Sequence, residues 1–141
     1  MFIPRRALVL TAITFAALAA SAAETSISVP VTELKFSDAG IGPLKVSPVF
    51  GDLGKGAHGT FVKFPAGYAS PLHAHSDDYS GVVISGVLAN EPSASAKERP
   101  LAPGSYWFQK GKANHVTKCL SANECVFFIT QPGRFDFIEA H

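Results

Sequence analysis

The sequence predicts an all-β domain, a sandwich or barrel of short antiparallel strands. Three observations carry this. Apolar runs of four to ten residues recur between turn clusters, and no segment holds a helical period with caps at both ends. With 11 Phe, 12 Gly and 10 Pro and only 16% charged residues, the composition favours strands and tight turns over long solvated helices. A single all-β domain of this length must close or double its sheet to hide its edges.

The N-terminus is read separately. Arg5 and Arg6 precede an apolar run from Ala7 to Ala20, and Ser21-Ala22-Ala23 supplies small residues before a cut at Glu24. Fourteen residues are too few for a bilayer, which takes about 20. Residues 1–23 are therefore expected to be a cleaved export signal, with residues 24–141 as one periplasmic or secreted domain without a membrane span. The paired arginines also raise the twin-arginine route, although Pro4 and Ala7-Leu8-Val9 fit that signal poorly. Removing Arg5 and Arg6 from the 12 basic residues leaves about 10 against 11 acidic ones, which argues against a nucleic-acid partner.

Strands are expected over Ile27–Val31, Leu44–Phe50, Gly59–Phe64, Tyr79–Leu88, Ser105–Gln109, His115–Cys119, Cys125–Thr130 and Phe135–Ile138. Turns fall at Pro65-Ala66-Gly67, Asn90-Glu91-Pro92, Pro103-Gly104 and Gln131-Pro132-Gly133. Cys119 and Cys125 flank a polar, turn-prone stretch. In an exported chain they read as a disulfide bridging adjacent antiparallel strands near a hairpin tip. A metal or redox pair fits less well, since the spacing is not CxxC.

The densest chemistry lies in PAGYASPLHAHSDDYSGVVISG, residues 65–86. His73 and His75 are one residue apart, so an extended strand puts both imidazoles on one face, where a metal ion is the simplest shared partner. An HxH alone arises easily by chance. A second segment, PGSYWFQKGKANHVTKC, places His115 at the start of a strand after a Lys-Gly-Lys turn.

This pair of segments resembles the two motifs of the cupin superfamily across residues 59–119. Pro65 and Gly67 lead to the two histidines, and Gly86 ends the first motif; Gly104 and His115 match the second. Tyr79 stands where the family has its glutamate ligand, Lys110 replaces a proline, Gly111 is shifted by one and Cys119 replaces an asparagine. The whole is most similar to small exported single-domain cupins of unassigned function and to the cupin domain of ChrR-type anti-sigma factors.

The resemblance implies a cupin-type β-barrel, a double-sheet jelly roll, with one divalent metal ion held by His73, His75 and His115. Iron or zinc leads, with manganese and nickel behind. Tyr79 shares their parity and is expected beside the ligands rather than among them, since an unperturbed phenol has a pKa near 10. Asp77 is on the same face by parity and is a candidate for the lost carboxylate; Asp78 reads as a solvated turn residue. His58 and His141 read as surface groups, and Lys63 as an edge residue that snorkels. Two of Tyr106, Trp107, Phe108 and Gln109 should line the interior. Three-histidine cupins include Fe(II) oxygenases that cleave diketone-like chelating substrates. The function expected is thus a metal-dependent dioxygenase acting on a small molecule. The alternatives are a non-catalytic metal-dependent sensor or a small-molecule-binding module, with a homodimer as the assembly to consider.

Overall fold

Alternation along each strand settles what faces the interior. In the computed structural model, which describes residues 25–140, ten strands follow in chain order. They are β1 (Ser37–Asp38), β2 (Lys45–Gly51), β3 (His58–Phe64), β4 (His73–Ala74), β5 (Tyr79–Ser85), β6 (Leu88–Glu91), β7 (Tyr106–Gln109), β8 (Val116–Cys119), β9 (Cys125–Gln131) and β10 (Ile138–Glu139). The expected export signal and His141 lie outside the described residues.

Six strands form an antiparallel sheet in the order β1-β2-β3-β9-β5-β7. The ladders β6–β8 and β4–β10 make the facing layer. They are joined where His73 and His115 exchange backbone hydrogen bonds, 3.0 and 2.8 Å, and where Ser70 N–H donates to the Thr117 carbonyl, 2.9 Å. This is a doubled sheet in the jelly-roll manner, and the disulfide ties its layers together. Cys119 ends β8 in one layer and Cys125 starts β9 in the other, with Cα atoms 5.7 Å apart and both residues buried. The sequence had placed the bridge within one hairpin. The two strands instead diverge into opposite layers.

The registers arrange the inward side chains of the large sheet in rows. At one end Val62, Phe127 and Val83 lie side by side, followed by Thr60, Ile129, Gly81 and Trp107. The last row reads His58, Gln131, Tyr79 and Gln109, all buried. The interior therefore grades from apolar to polar along the strand direction. Such polar burial is costly without hydrogen-bond partners, so the polar end is where a site is expected. A Cβ on Gly81 would strike the Trp107 ring, so the indole occupies the space that the glycine leaves.

Several sequence expectations change. Ile27–Val31 forms no strand: Pro30 lacks an N–H, a 3-10 turn follows at Val31–Glu33, and Ile27 and Val31 stay exposed. Tyr79–Leu88 splits at Gly86, whose φ of +79 turns the chain from β5 into β6 in the other layer. Asn90 and Glu91, expected in a turn, belong to β6. Phe135–Ile138 pairs only at its end, through β10. Trp107 and Gln109 are the inward pair of their strand, while Tyr106 and Phe108 face outward. Lys63 pairs with Glu124 at 3.0 Å and lies over the Phe36 ring. His58, expected at the surface, is 1% exposed, because its parity puts it on the inner face of β3.

Candidate metal centre

Three imidazoles converge at the polar end of the interior. His73 opens β4, His75 follows it with the same parity, and His115 sits just before β8, back-to-back with His73 through the backbone pair described above. All three are buried, and their candidate ligating atoms lie within 4.8 Å of one another.

Their hydrogen bonds fix the tautomer. His73 Nδ1 donates to the Pro71 carbonyl at 2.9 Å, His115 Nδ1 to the Ala113 carbonyl at 3.2 Å, and His75 Nδ1 to the Asp136 carbonyl. A carbonyl oxygen only accepts, so each Nδ1 carries its proton and each Nε2 keeps a lone pair. Burial holds all three histidines below the ordinary histidine value. It lowers His73 to about 4 and His115 to about 3, with repulsion from neighbouring imidazoles adding to the effect. At neutral pH the cluster is uncharged, which is the form that binds a cation.

Loops hold these rings in place. Gln109 donates from Nε2 to the carbonyls of Lys110 and Ala113, 3.2 and 3.1 Å, bracing the turn that presents His115. Asn90 donates to Gln109 Oε1 at 2.9 Å and accepts from Thr117 Oγ1 at 2.8 Å, which locks that brace to β8. On the other side the Asp136 carboxylate accepts from Ser76 N at 2.9 Å and from Ser76 Oγ, fixing the carbonyl that orients His75. From the sequence Asn90 is expected only as a turn residue and Asp136 is given no role. The alternation Phe135-Asp136-Phe137 was the available signal, since a lone acid between two aromatics in an apolar strand requires a polar partner.

Tyr79 lies beside the cluster. Its hydroxyl donates to His115 Nε2 at 3.3 Å, and burial pushes the phenol up to about 12, so it stays protonated. Phe137 stacks on His73 with ring centroids 4.1 Å apart, and Phe135 lies 5.0 Å from His75. Around them an apolar cavity of about 30 Å³ touches Leu44, Val62, Phe127 and Ile129.

Asp77 does not join the histidines. The loop breaks the alternation after His75, and the Asp77 carboxylate lies against Gly133, where a Cβ would collide with it. Asp78 accepts from Gly111 N at 2.7 Å and pairs with Lys110 at 3.0 Å, so it serves the loop. Among the described residues no carboxylate belongs to the cluster.

The donor set suits a transition-metal ion. Three atoms no more than 4.8 Å apart lie within about 2.8 Å of a common centre, against a Zn–N bond of about 2.0–2.1 Å, so closing on an ion takes ring shifts under about 1 Å. Imidazole ligands suit zinc, iron, copper and nickel alike.

Comparison with known proteins places this geometry in context. A family described as "Domain of unknown function (DUF4437)" matches residues 44–138. No curated protein matches the chain. Among solved structures, the polyketide cyclase RemF from Streptomyces resistomycificus is 15% identical, with a TM-score of 0.67 and coverage of 83% of this chain and 87% of that one. An RmlC-like cupin from Shewanella frigidimarina is 18% identical, with a TM-score of 0.58 and coverage of 77% and 94%. The Rhodobacter sphaeroides complex of SigE with the anti-sigma ChrR gives 15% identity, a TM-score of 0.56 and coverage of 72% and 50%. At these identities the likeness is one of fold: the doubled sheet is the cupin fold.

Proposed function

The chain belongs to the DUF4437 family, and from that premise we propose that it is a metal-dependent cupin. His73, His75 and His115 hold one divalent cation through Nε2, and a small chelating molecule takes the remaining coordination positions. The observation that supports this most directly is the shared tautomer: three Nδ1 atoms tied to backbone carbonyls leave three inward lone pairs with one another as neighbours. Three neutral ligands leave the cation's double charge uncompensated, which favours an anionic or enolisable chelate.

We further propose that the chemistry is that of a dioxygenase acting on such a chelate. A bound iron ion would supply one-electron chemistry with dioxygen and Lewis acidity toward the substrate, whereas zinc would supply Lewis acidity alone. The chain's own residues bind and orient. Phe135 and Phe137 cover the imidazoles and exclude water, and Tyr79 offers a hydroxyl that can turn from His115 Nε2 to an oxygen of the ligand. That one fold neighbour is a polyketide cyclase is in keeping with a small oxygenated substrate.

One observation favours a second reading, a non-catalytic sensor. The cavity of about 30 Å³ has room for no more than a few waters, so a larger ligand enters only if the phenylalanines move, and such a movement is what a sensor would transmit. The anti-sigma neighbour suits that reading.

Elemental analysis of protein exported with its own leader should find one equivalent of metal. His73→Ala, His75→Ala and His115→Ala should each remove most of it, and stoichiometric metal in all three would refute the ligand set. Oxygen uptake with acetylacetone and related chelates then separates the two readings: turnover supports the enzyme, and binding without uptake the sensor. The leader read from residues 1–23 is proposed to place the protein in the periplasm, and an intact mass starting at Glu24 tests that.

A further inference from the structure

The polar row contains a pair that the metal centre does not use. His58 and Gln131 face each other across β3 and β9, 1% and 3% exposed. His58 and Gln131 lie close enough to influence each other, yet neither His58 Nε2 nor either end of the Gln131 amide completes a hydrogen bond of good geometry. Buried polar atoms are almost always paired, and each unpaired one is destabilising. Even a rotation that joined His58 to the amide would leave one end of Gln131 unsatisfied. The sheet thus carries a polar group at a cost that its own fold does not recover.

The place of this pair points to a ligand. The register puts Gln131 next to Tyr79, the residue that also touches His115, and both line an open cavity of about 390 Å³ with His58. Phe135 lies near both the pair and the histidines, its ring centroid 6.5 Å from His58 and 5.0 Å from His75. The chemistry of the pair is that of hydroxyl recognition. Thr60, fully buried 2.9 Å from His58 Nδ1, has no other side-chain partner among the described residues. Whichever of the two donates, that bond occupies Nδ1 and leaves Nε2 as the imidazole nitrogen free for a ligand. The His58 imidazole and the Gln131 amide, side by side on adjacent strands, together offer donors and an acceptor, which suits a group that both accepts and donates. No lysine or arginine lines the open cavity and Asp78 does, so this end of the site suits a neutral group.

We propose that His58 and Gln131 form a ligand subsite that receives a hydroxyl group of the molecule chelated at the histidines, so that the ligand class is a hydroxylated acid or carbonyl compound. This rests on the metal reading above and adds the substrate's far end to it. Tyr79 lines both cavities, so the two ends of the site meet at that residue.

The test uses two probes of equal chain length, D-gluconate and hexanoate, titrated calorimetrically into zinc-loaded protein whose metal content has been measured. Wild type should bind gluconate at least about tenfold tighter than hexanoate. Gln131→Leu and His58→Phe should keep their zinc and lose that preference, and ligand-free Gln131→Leu should melt above wild type, because it removes an unsatisfied amide. Equal binding of the two probes by wild type, an unchanged preference in both variants, or a lower melting point in Gln131→Leu would each overturn the subsite. If wild type holds no zinc yet prefers gluconate, and Gln131→Leu abolishes the preference, the subsite stands and the metal reading falls.

Discussion

Replacing Tyr79 with phenylalanine deletes one oxygen and keeps the ring's packing against His75 and Trp107. In the metal-free protein the hydroxyl is the polar partner of His115 Nε2, at a long 3.3 Å. A bond of that length is a weak one, yet its loss strands a buried acceptor, so Tyr79→Phe should cost the metal-free protein about 1–2 kcal/mol. For a domain of this size that is a fall of roughly 4–8 °C in Tm. The metal-bound protein behaves differently, because there the cation takes the His115 lone pair and the phenol must already have turned away. The variant should thus melt close to wild type when loaded. Linkage then requires the variant to bind metal more tightly by the same difference, about five- to thirtyfold. Thermal melts with and without zinc, together with a competition titration against a chelator, measure both quantities. Weaker zinc binding in Tyr79→Phe would mean that the phenol ligates the ion directly and would refute this reasoning.

Three further outcomes follow from the structure. The metal-free protein should lose stability as pH falls from 6.5 toward about 4: the buried histidines have lowered pKa values, so the unfolded chain binds more protons throughout that window. His73 alone accounts for roughly 3 kcal/mol, and an acid titration followed by circular dichroism that stayed flat to pH 4 would contradict it. Replacing Cys119 and Cys125 together by serine should lower stability by about 2–3 kcal/mol, the loop-entropy contribution of so short a bridge, read as a shift in urea midpoint. Gly81→Ala should cost about 1–3 kcal/mol by driving a methyl into Trp107, and it should change the emission of the chain's single tryptophan; an unaltered spectrum would place the indole elsewhere.

The resemblance to cupin motifs, and with it the doubled sheet and the three histidines, was legible from local pattern. A parity of two places His73 and His75 on one side wherever the chain is extended, and turn residues mark where it reverses. Parity failed where the chain leaves the extended form. It put Asp77 beside the histidines, but the loop after His75 turns that carboxylate to Gly133. It kept Tyr79–Leu88 whole, though the positive φ at Gly86 sends the second half into the other layer. His58 is the clearest case: in a glycine-rich stretch it looks solvated, and only its pairing with Gln131 across β9 puts it inside. The Asn90–Gln109 brace and the Asp136 clamp were equally illegible, since their partners are 19 and 60 residues away in the chain. A hydrogen bond of that span leaves no periodicity behind. It depends on which strands become neighbours, and that is decided by how the whole apolar surface is buried at once.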